Sequence, residues 1–205
     1  MSSHPPAEPR RRLSRERRRL QLIDVAWRLA REEGADALTL GRLAELAGVA
    51  KPVVYDHFGT RNGLLAALFE EFDQRQTAAM DAALAASEPT LVDRARVIAE
   101  AYVGCALAQG RELAGVAAAL EGSPELERVK RACETAFLEK CRVALDPFAD
   151  GGVSTPALVG ALGAADALSS AAAIGEIDAD SARAELLAVI LAAVERSRGR
   201  LRRPD

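Results

Sequence analysis

Hydrophobic residues recur every three or four positions along most of this chain, the spacing that places side chains on one face of an α-helix. Ile23, Ala26, Trp27 and Ala30 show this spacing in the first helix. Proline, glycine and short polar residues separate the apolar segments, at positions typical of helix ends. The pattern predicts an all-α chain of nine helices and no strands, over residues 20–34, 40–47, 52–58, 61–86, 91–110, 112–120, 125–145, 156–174 and 179–200.

Residues 39–58, TLGRLAELAGVAKPVVYDHF, predict two short helices joined by a tight turn. Gly48 ends the first helix, because glycine adopts the left-handed conformation without a Cβ clash. Val54 and Phe58 lie four residues apart and would pack the second helix inward, which leaves the remaining side chains of that helix facing outward. This pattern is typical of a helix-turn-helix whose second helix enters the major groove of DNA.

At these residues the chain resembles the TetR/AcrR family of one-component bacterial transcription regulators. The matching positions are Thr39, Leu43, Ala44, Ala47-Gly48-Val49, Lys51, Tyr55, His57-Phe58, Arg61 and Leu64-Leu65. A generic helix-turn-helix does not require the Tyr-x-His-Phe ending, so the resemblance is specific; it covers roughly residues 15–72. It implies a two-domain chain, with a three-helix helix-turn-helix head and a helical body that binds a ligand and dimerises.

The predicted domains are a disordered basic arm over residues 1–13, a helix-turn-helix domain over 14–64 and an effector-binding and dimerisation domain over 65–205. Residues 1–61 hold twelve Lys and Arg against eight Asp and Glu, whereas the rest hold fifteen against twenty-two. A basic head on an acidic body suits a protein that presents one end to DNA. The seven arginines between Arg10 and Arg19 form either a solvated tail or an arm that contacts phosphates or the minor groove.

The candidate DNA-binding residues are Thr39, Arg42, Lys51, Pro52, Val53, Tyr55, His57 and Arg61. The resemblance implies their roles, and their chemistry agrees with it. Thr39 would cap its helix and touch phosphate. Lys51, at the positive end of the second helix, would also contact phosphate. Tyr55, His57 and Arg61 would add further phosphate contacts. Pro52 and Val53 offer apolar surface to a thymine methyl group, and Arg42 could contact either the DNA backbone or a guanine. Ordinary packing of the head is the alternative for Tyr55 and His57.

Three departures from the family pattern affect the recognition helix and the helix after it. Ala50 replaces the usual Ser or Thr, so the recognition helix lacks a side-chain N-cap. The next helix begins Thr60-Arg61-Asn62-Gly63 and lacks the Glu of a capping box. Asp56 either accepts from a cytosine amino group or faces solvent. The recognition helix has no Asn, Gln or Arg, so specificity would depend on Arg42, the arginine arm and DNA shape.

Fourteen of the thirty-nine residues from Pro156 to Val194 are alanine. The resemblance implies that these last two helices form a homodimer interface as a four-helix bundle; the alternative is a hairpin buried within one subunit. It also implies a small-molecule effector between the body helices. The candidate lining residues are Tyr102, Cys105, Gln109, Cys133, Phe137 and Cys141, with ordinary core packing as the alternative. Because the body helices carry few inward charges, the expected effector is apolar or mildly amphipathic.

Other functional classes find little support in the composition. The only histidines are His4 and His57, which disfavours histidine-based catalysis and metal sites, and no glycine-rich phosphate loop occurs. We therefore expect no enzyme activity, no metal and no cofactor. Three cysteines at spacings that match no zinc motif are expected to be free thiols in a reducing cytoplasm. The alternative is redox sensing through Cys133 and Cys141, although positions eight apart on one helix cannot form a disulfide without unwinding. No uninterrupted apolar run reaches membrane-spanning length and no signal peptide is recognisable, so a cytoplasmic location without a membrane is expected.

The sequence thus predicts a homodimeric, cytoplasmic transcription regulator, most simply a repressor of a palindromic operator that an effector releases from double-stranded DNA. One alternative is a DNA-binding regulator without an effector, controlled by abundance or by a partner protein. Another is a helical enzyme or carrier with an attached helix-turn-helix.

Overall fold

The computed structural model describes residues 13–199, so most of the predicted arm over residues 1–13 lies outside the described residues. Within the described range the chain forms nine α-helices, two 3₁₀ turns and no strand, which confirms the predicted fold class. The helices are α1 (Arg15–Glu33), α2 (Leu40–Ala47), α3 (Lys51–Phe58), α4 (Arg61–Ala86), α5 (Leu91–Glu112), α6 (Ala114–Leu120), α7 (Pro124–Leu145), α8 (Thr155–Ala173) and α9 (Ala179–Gly199); the 3₁₀ turns are Ala35–Ala37 and Asp146–Phe148.

The chain divides into two compact units between Leu68 and Phe69, a point inside α4. We call the unit that ends at Leu68 the head and the unit that begins at Phe69 the body. The sequence places the boundary four residues earlier, after Leu64.

The head is built around α2, which packs against both α1 and α3. The side chain of Trp27 on α1 is buried, as its spacing predicts, and that of Leu43 on α2 is fully buried. Thr39 caps α2 by accepting from the backbone N–H of Arg42 at 3.1 Å. Gly48 ends the same helix in the left-handed conformation, at φ 65°, and its N–H bonds back to the carbonyls of the last turn. The predicted helix-turn-helix is therefore present.

The first helix begins at Arg15, five residues before the predicted start at Leu20. Ser14 provides the cap, because its hydroxyl accepts from the N–H of Arg17 at 3.2 Å. Glu16 adds a negative charge in the first turn, where the helix dipole favours one. Arg15 to Arg19 thus belong to α1 itself and not to a tail or arm that precedes the helix.

Arg61 joins the start of α4 to the connection between α1 and α2. Its guanidinium donates to the carbonyl oxygens of Ala35 and Leu38, each at 2.9 Å, and lies 3.9 Å from the carboxylate of Asp36. These groups belong to the connection between α1 and α2. The side chain therefore donates to two backbone carbonyls of that connection, one of which, that of Ala35, also accepts from the N–H of Leu38 at 3.2 Å.

In the body, α5 packs against α7, α8 and α9, and α8 also packs against α9. Ile98 and Val103 on α5, Leu145 on α7, and Leu186 and Ile190 on α9 belong to one buried cluster. Aliphatic side chains make most of this core, as the low aromatic content predicts. The body core thus extends from α5 to α9.

The ends of the body helices follow the predicted caps, with two differences. Thr90 caps α5 and Asp178 caps α9, each accepting from a backbone N–H three residues later. However, α5 continues through Gly110 to Glu112. The N-cap of α8 is Ser154 and not Thr155, whose hydroxyl instead accepts from the guanidinium of Arg142 at 3.1 Å.

The helix α8 is long and apolar enough to cross a membrane by length and composition alone. Its best 18-residue window has a mean hydropathy of 1.2, although no uninterrupted apolar run in the sequence has that length. Alanine, leucine and valine give the helix this hydropathy, and Asp166 interrupts it with a charge. Only 17% of the window is buried, so α8 presents an unusually apolar exposed face.

Gly63 lets the first turn of α4 lie close to the backbone at the end of α3. A Cβ at this position would lie 2.1 Å from the carbonyl oxygen of Phe58, a backbone atom that cannot move aside. Gly63→Ala should therefore destabilise the head by about 2 kcal/mol, as overpacking does elsewhere. Urea unfolding followed by the fluorescence of Trp27, the only tryptophan, reports on the head. The control is Gly41→Ala in the first turn of α2, where the nearest atom is 3.9 Å away and stability should be unchanged or slightly higher. Equal stability of the two variants would contradict the close contact.

Arg61→Ala should lower the stability of the head by about 1 kcal/mol, because it leaves the carbonyls of Ala35 and Leu38 without this donor. Arg42→Ala removes an exposed ion pair with Glu33, and solvent screening should make its effect on stability small. The same urea titration compares the two variants. If the Arg61→Ala variant is as stable as the unsubstituted protein, the two hydrogen bonds of Arg61 do not stabilise the connection between α1 and α2.

Candidate nucleic-acid interface and body cavity

Two buried side chains on α3 determine which of its residues face outward. Val54 is fully buried and Phe58 nearly so, as predicted. Lys51, Pro52, Tyr55 and Asp56 are exposed, and Val53 and His57 are half-buried. Tyr55 is 52% exposed, an unusual fraction for an aromatic side chain in a small packed unit. The outward face of α3 thus combines a cation, a phenol, an imidazole and apolar surface.

The first turn of α3 is suited to an anion. Ala50 occupies the N-cap position and makes no side-chain hydrogen bond to the helix, as its sequence predicts. Backbone N–H groups at a helix start carry partial positive charge and bind phosphate readily. Lys51 is exposed beside them, and its ammonium group adds a mobile positive charge. A phosphate at this point would meet both.

The arginines at the start of α1 lie beside the last turn of α3. The guanidinium of Arg19 stacks on the ring of Phe58, 5.6 Å from its centroid. Burial lowers the pKa of His57 below its usual value, and the positive charges of Arg15 and Arg19 lower it further, while Asp56 opposes them. His57 is therefore neutral at pH 7 and can donate one N–H. Sequence reasoning did not place these arginines beside α3. Their helical spacing after Ser14 indicates that they belong to α1.

The other predicted head residues already have partners within the head. The hydroxyl of Thr39 accepts from a backbone N–H. Arg42 pairs with Glu33 at 2.6 Å, and the hydrogen bond from its guanidinium lowers the pKa of the Glu33 carboxyl. Because this pair is exposed, water screens it, and a phosphate can replace the carboxylate. Arg61 is committed to backbone carbonyls, so its role in the isolated chain is structural.

The body contains an open cavity of about 600 Å³, in the range of small-molecule sites. Five of the six predicted ligand residues lie on its wall, namely Tyr102, Cys105, Gln109, Cys133 and Phe137. Cys141 is instead buried on the wall of a separate space of about 20 Å³, which also touches Tyr102 and Phe137. The structure therefore brings together most of the predicted set.

Polar groups on the cavity wall include several that sequence reasoning missed. The hydroxyl of Tyr102 donates to the carboxylate of Asp166 on α8, and the ring of Tyr102 meets that of Phe137 edge-on at 5.0 Å. Burial and this carboxylate both raise the pKa of Tyr102, so the phenol stays protonated. Asp73 on α4 and Ser169 on α8 also face the cavity. No sequence motif marks these residues, because they converge only when four helices pack.

All three cysteines are free thiols. Burial raises the pKa of Cys105 to about 11 and the pKa values of Cys133 and Cys141 to about 12, with Asp73 adding to the shift of the first two. The thiols are therefore protonated at neutral pH and are poor nucleophiles. They serve as small apolar groups in the body.

Part of the head matches a known protein family. Residues 22–68 match the family model of bacterial regulatory proteins of the tetR family. None of the curated proteins compared with this chain matches it.

Solved structures share the fold over most of the chain. A protein of unknown function from Rhodococcus sp. RHA1 has 25% identity and a TM-score of 0.64, covering 91% of this chain and 98% of its own. A TetR-family transcriptional regulator from Streptomyces coelicolor has 19% identity and a TM-score of 0.61, with coverages of 88% and 95%. The transcriptional regulator FadR from Bacillus subtilis, in complex with stearoyl-CoA, has 18% identity and a TM-score of 0.63, with coverages of 85% and 98%. Residues 22–68 of this chain thus match the tetR family of bacterial regulatory proteins, and most of the chain shares the fold of a solved TetR-family transcriptional regulator.

Proposed function

We propose that this protein is a cytoplasmic, homodimeric repressor that binds a palindromic operator and leaves it when a small molecule occupies the body cavity. The observation that carries the proposal is the outward face of α3, where Lys51, Tyr55 and His57 stand beside a helix start that favours phosphate. Pro52 and Val53 on the same helix supply the apolar surface for a thymine methyl group. A regulator of this kind needs no catalytic group, cofactor or metal.

Nonspecific and specific contacts would come from different parts of the head. Lys51, Tyr55, His57 and the α1 arginines would bind phosphates and hold α3 in the groove. The helix lacks long bidentate side chains for reading bases, so specificity would depend on Arg42 and on DNA shape. For Arg42 to contact DNA, it would exchange Glu33 for a phosphate or a guanine. Thr39, whose hydroxyl already accepts a hydrogen bond, would reach a phosphate from the start of α2.

The dimer interface is proposed on α8 and α9. Both helices expose small residues at helical spacing, among them Gly160, Gly163 and Ala167 on α8 and Ala184, Ala188 and Ala192 on α9. Val159 is 53% exposed and Ile174 is 73% exposed on the same pair of helices. Small side chains let helix axes approach closely, so a second copy could cover these faces as a four-helix bundle. This arrangement also accounts for the apolar composition of α8 without a membrane.

The cavity supports an effector-responsive regulator over one controlled only by abundance. It is large enough for a drug-sized molecule and combines apolar walls with several polar groups. One wall of the cavity is formed by α4, the helix that begins in the head and continues into the body. A ligand that preferred one conformation of α4 would change the spacing of the two heads in a dimer, and operator half-sites tolerate little change in that spacing.

Fluorescence anisotropy with DNA from upstream of the protein's own gene tests the DNA-binding assignment at two salt concentrations. Lys51→Ala and Tyr55→Phe should each weaken binding to all sequences by about 1 kcal/mol, and Lys51→Ala should flatten the salt dependence by about one unit, because each removes a phosphate contact. Arg128→Ala is the control, since it removes an exposed cation from α7 in the body. If both head variants bind like the control, α3 is not the recognition helix.

A bulky charge on the α9 face should separate the proposed dimer. Ala188→Glu places a carboxylate on a surface that would face its own copy, so sedimentation equilibrium should show a monomer at concentrations where the unsubstituted chain is dimeric. Operator affinity should fall by at least about tenfold, since two linked heads bind more tightly than one. Ala118→Glu on the exposed side of α6 is the matched control and should remain dimeric. A dimeric Ala188→Glu variant would mean that the interface lies elsewhere.

A further inference from the structure

The wall of the body cavity is more acidic than the sequence pattern predicts. Three carboxylates line it, from Asp73, Glu134 and Asp166, against the single ammonium group of Lys130. Few inward charges are expected from the sequence, because each of these residues lies on a different helix and looks like a surface charge in isolation. Once the helices pack, the cavity has an excess of negative charge.

Asp73 is the least exposed of the three carboxylates. Its side chain is half-buried, whereas those of Glu134 and Asp166 are exposed on one side. The thiols of Cys133 and Cys105 lie close enough for this carboxylate to raise their pKa values, in addition to the effect of burial. Neutral thiols are weak donors. Within the described residues Asp73 has no ion pair, so its charge is poorly compensated.

Aromatic side chains form the apolar part of the same wall. Phe69 and Phe72 come from α4, Tyr102 from α5 and Phe137 from α7. The faces of aromatic rings carry partial negative charge and attract organic cations. Phe72 already makes such a contact, since the guanidinium of Arg75 lies 5.6 Å from its ring centroid. The apolar and acidic parts of the wall therefore favour the same sign of ligand charge.

Ser169 provides an independent indication that the cavity accepts a ligand. The side chain is 3% exposed, it lies on the cavity wall, and its hydroxyl has no hydrogen-bond partner. A buried hydroxyl without a partner is costly, and natural proteins usually satisfy such groups. Its oxygen has almost no surface that water could reach, so rotation of the side chain towards the cavity would let a polar atom of a bound molecule satisfy it.

We propose that the cavity selects an amphipathic organic cation. The ammonium or protonated nitrogen pairs with Asp73, the apolar part lies against Phe69, Phe72 and Phe137, and a polar group reaches Ser169. This inference rests on the proposed function in taking the cavity as the effector site, and it adds the charge of the effector. The acidic wall disfavours carboxylates, phosphates and sulfates of the same size.

Three probes with one shared naphthyl group test the charge preference: 1-naphthylmethylammonium, 1-naphthylmethanol and 1-naphthoate. Each is titrated by calorimetry into the full chain at pH 7 without DNA. The cation should bind about tenfold more tightly than the alcohol, as a charge-assisted hydrogen bond allows, and the anion should bind most weakly. Equal affinities, or tighter binding of the alcohol or the anion, would overturn the proposal, as would no binding of the cation.

Asp73→Asn tests the residue, since it keeps the shape of the side chain and removes its charge. The roughly tenfold advantage of the cation over the alcohol should fall to less than about threefold. Glu88→Gln makes the same change in net charge at an exposed loop residue outside the cavity, and the advantage should persist. Thermal unfolding of both variants verifies that they fold. If Asp73→Asn is folded and the advantage remains, Asp73 is not the counter-ion.

Operator binding separates this inference from the proposed function. Cation selectivity is measured without DNA, so a protein that binds its operator yet takes no cation refutes only the inference. If the protein binds the cation selectively but stays bound to its operator, the inferred cation site stands and effector control is refuted. The two claims can therefore fail independently.

Discussion

The burial of two side chains on an eight-residue helix determines the orientation of the surface that would read DNA. The helix α3 is too short to be stable alone, and Val54 and Phe58 are its only buried residues. They anchor the helix in the core of the head, so the side chains of Lys51, Tyr55 and His57 point away from that core. Loss of either anchor would change the position of every side chain on the outward face. The chemistry of that face thus depends on an apolar contact that touches no ligand.

Local features of this fold could be predicted because adjacent residues determine them. The glycine that ends α2, the threonine that caps it and the helical spacing of Val54 and Phe58 all act within one or two turns. The start of α1 was misplaced because arginine favours a helix and a solvated tail equally well by composition. Ser14 decides between them, and its effect depends on a single hydrogen bond to Arg17.

Contacts between distant residues could not be predicted. Arg61 bonds to carbonyls that lie 23 and 26 residues earlier in the chain, and nothing in its motif distinguishes that role from a phosphate contact. The cavity raises the same difficulty. Helical spacing could suggest that Tyr102, Cys105 and Phe137 face inward, but the charge of the wall depends on how α4, α5, α7 and α8 meet. Asp73 and Asp166 carry ordinary surface residue types at unremarkable positions, so only packing gives them a shared environment.

The protonated state of the three cysteines has a practical consequence. With a pKa of about 11, roughly one Cys105 thiol in ten thousand is ionised at pH 7, whereas an ordinary exposed cysteine is ionised a few per cent of the time. Cys133 and Cys141 are less ionised still. Maleimides and disulfide reagents attack thiolates, so they would modify the natural cysteines slowly. A fluorophore could therefore be attached at a cysteine introduced on an exposed turn, with the native thiols left in place.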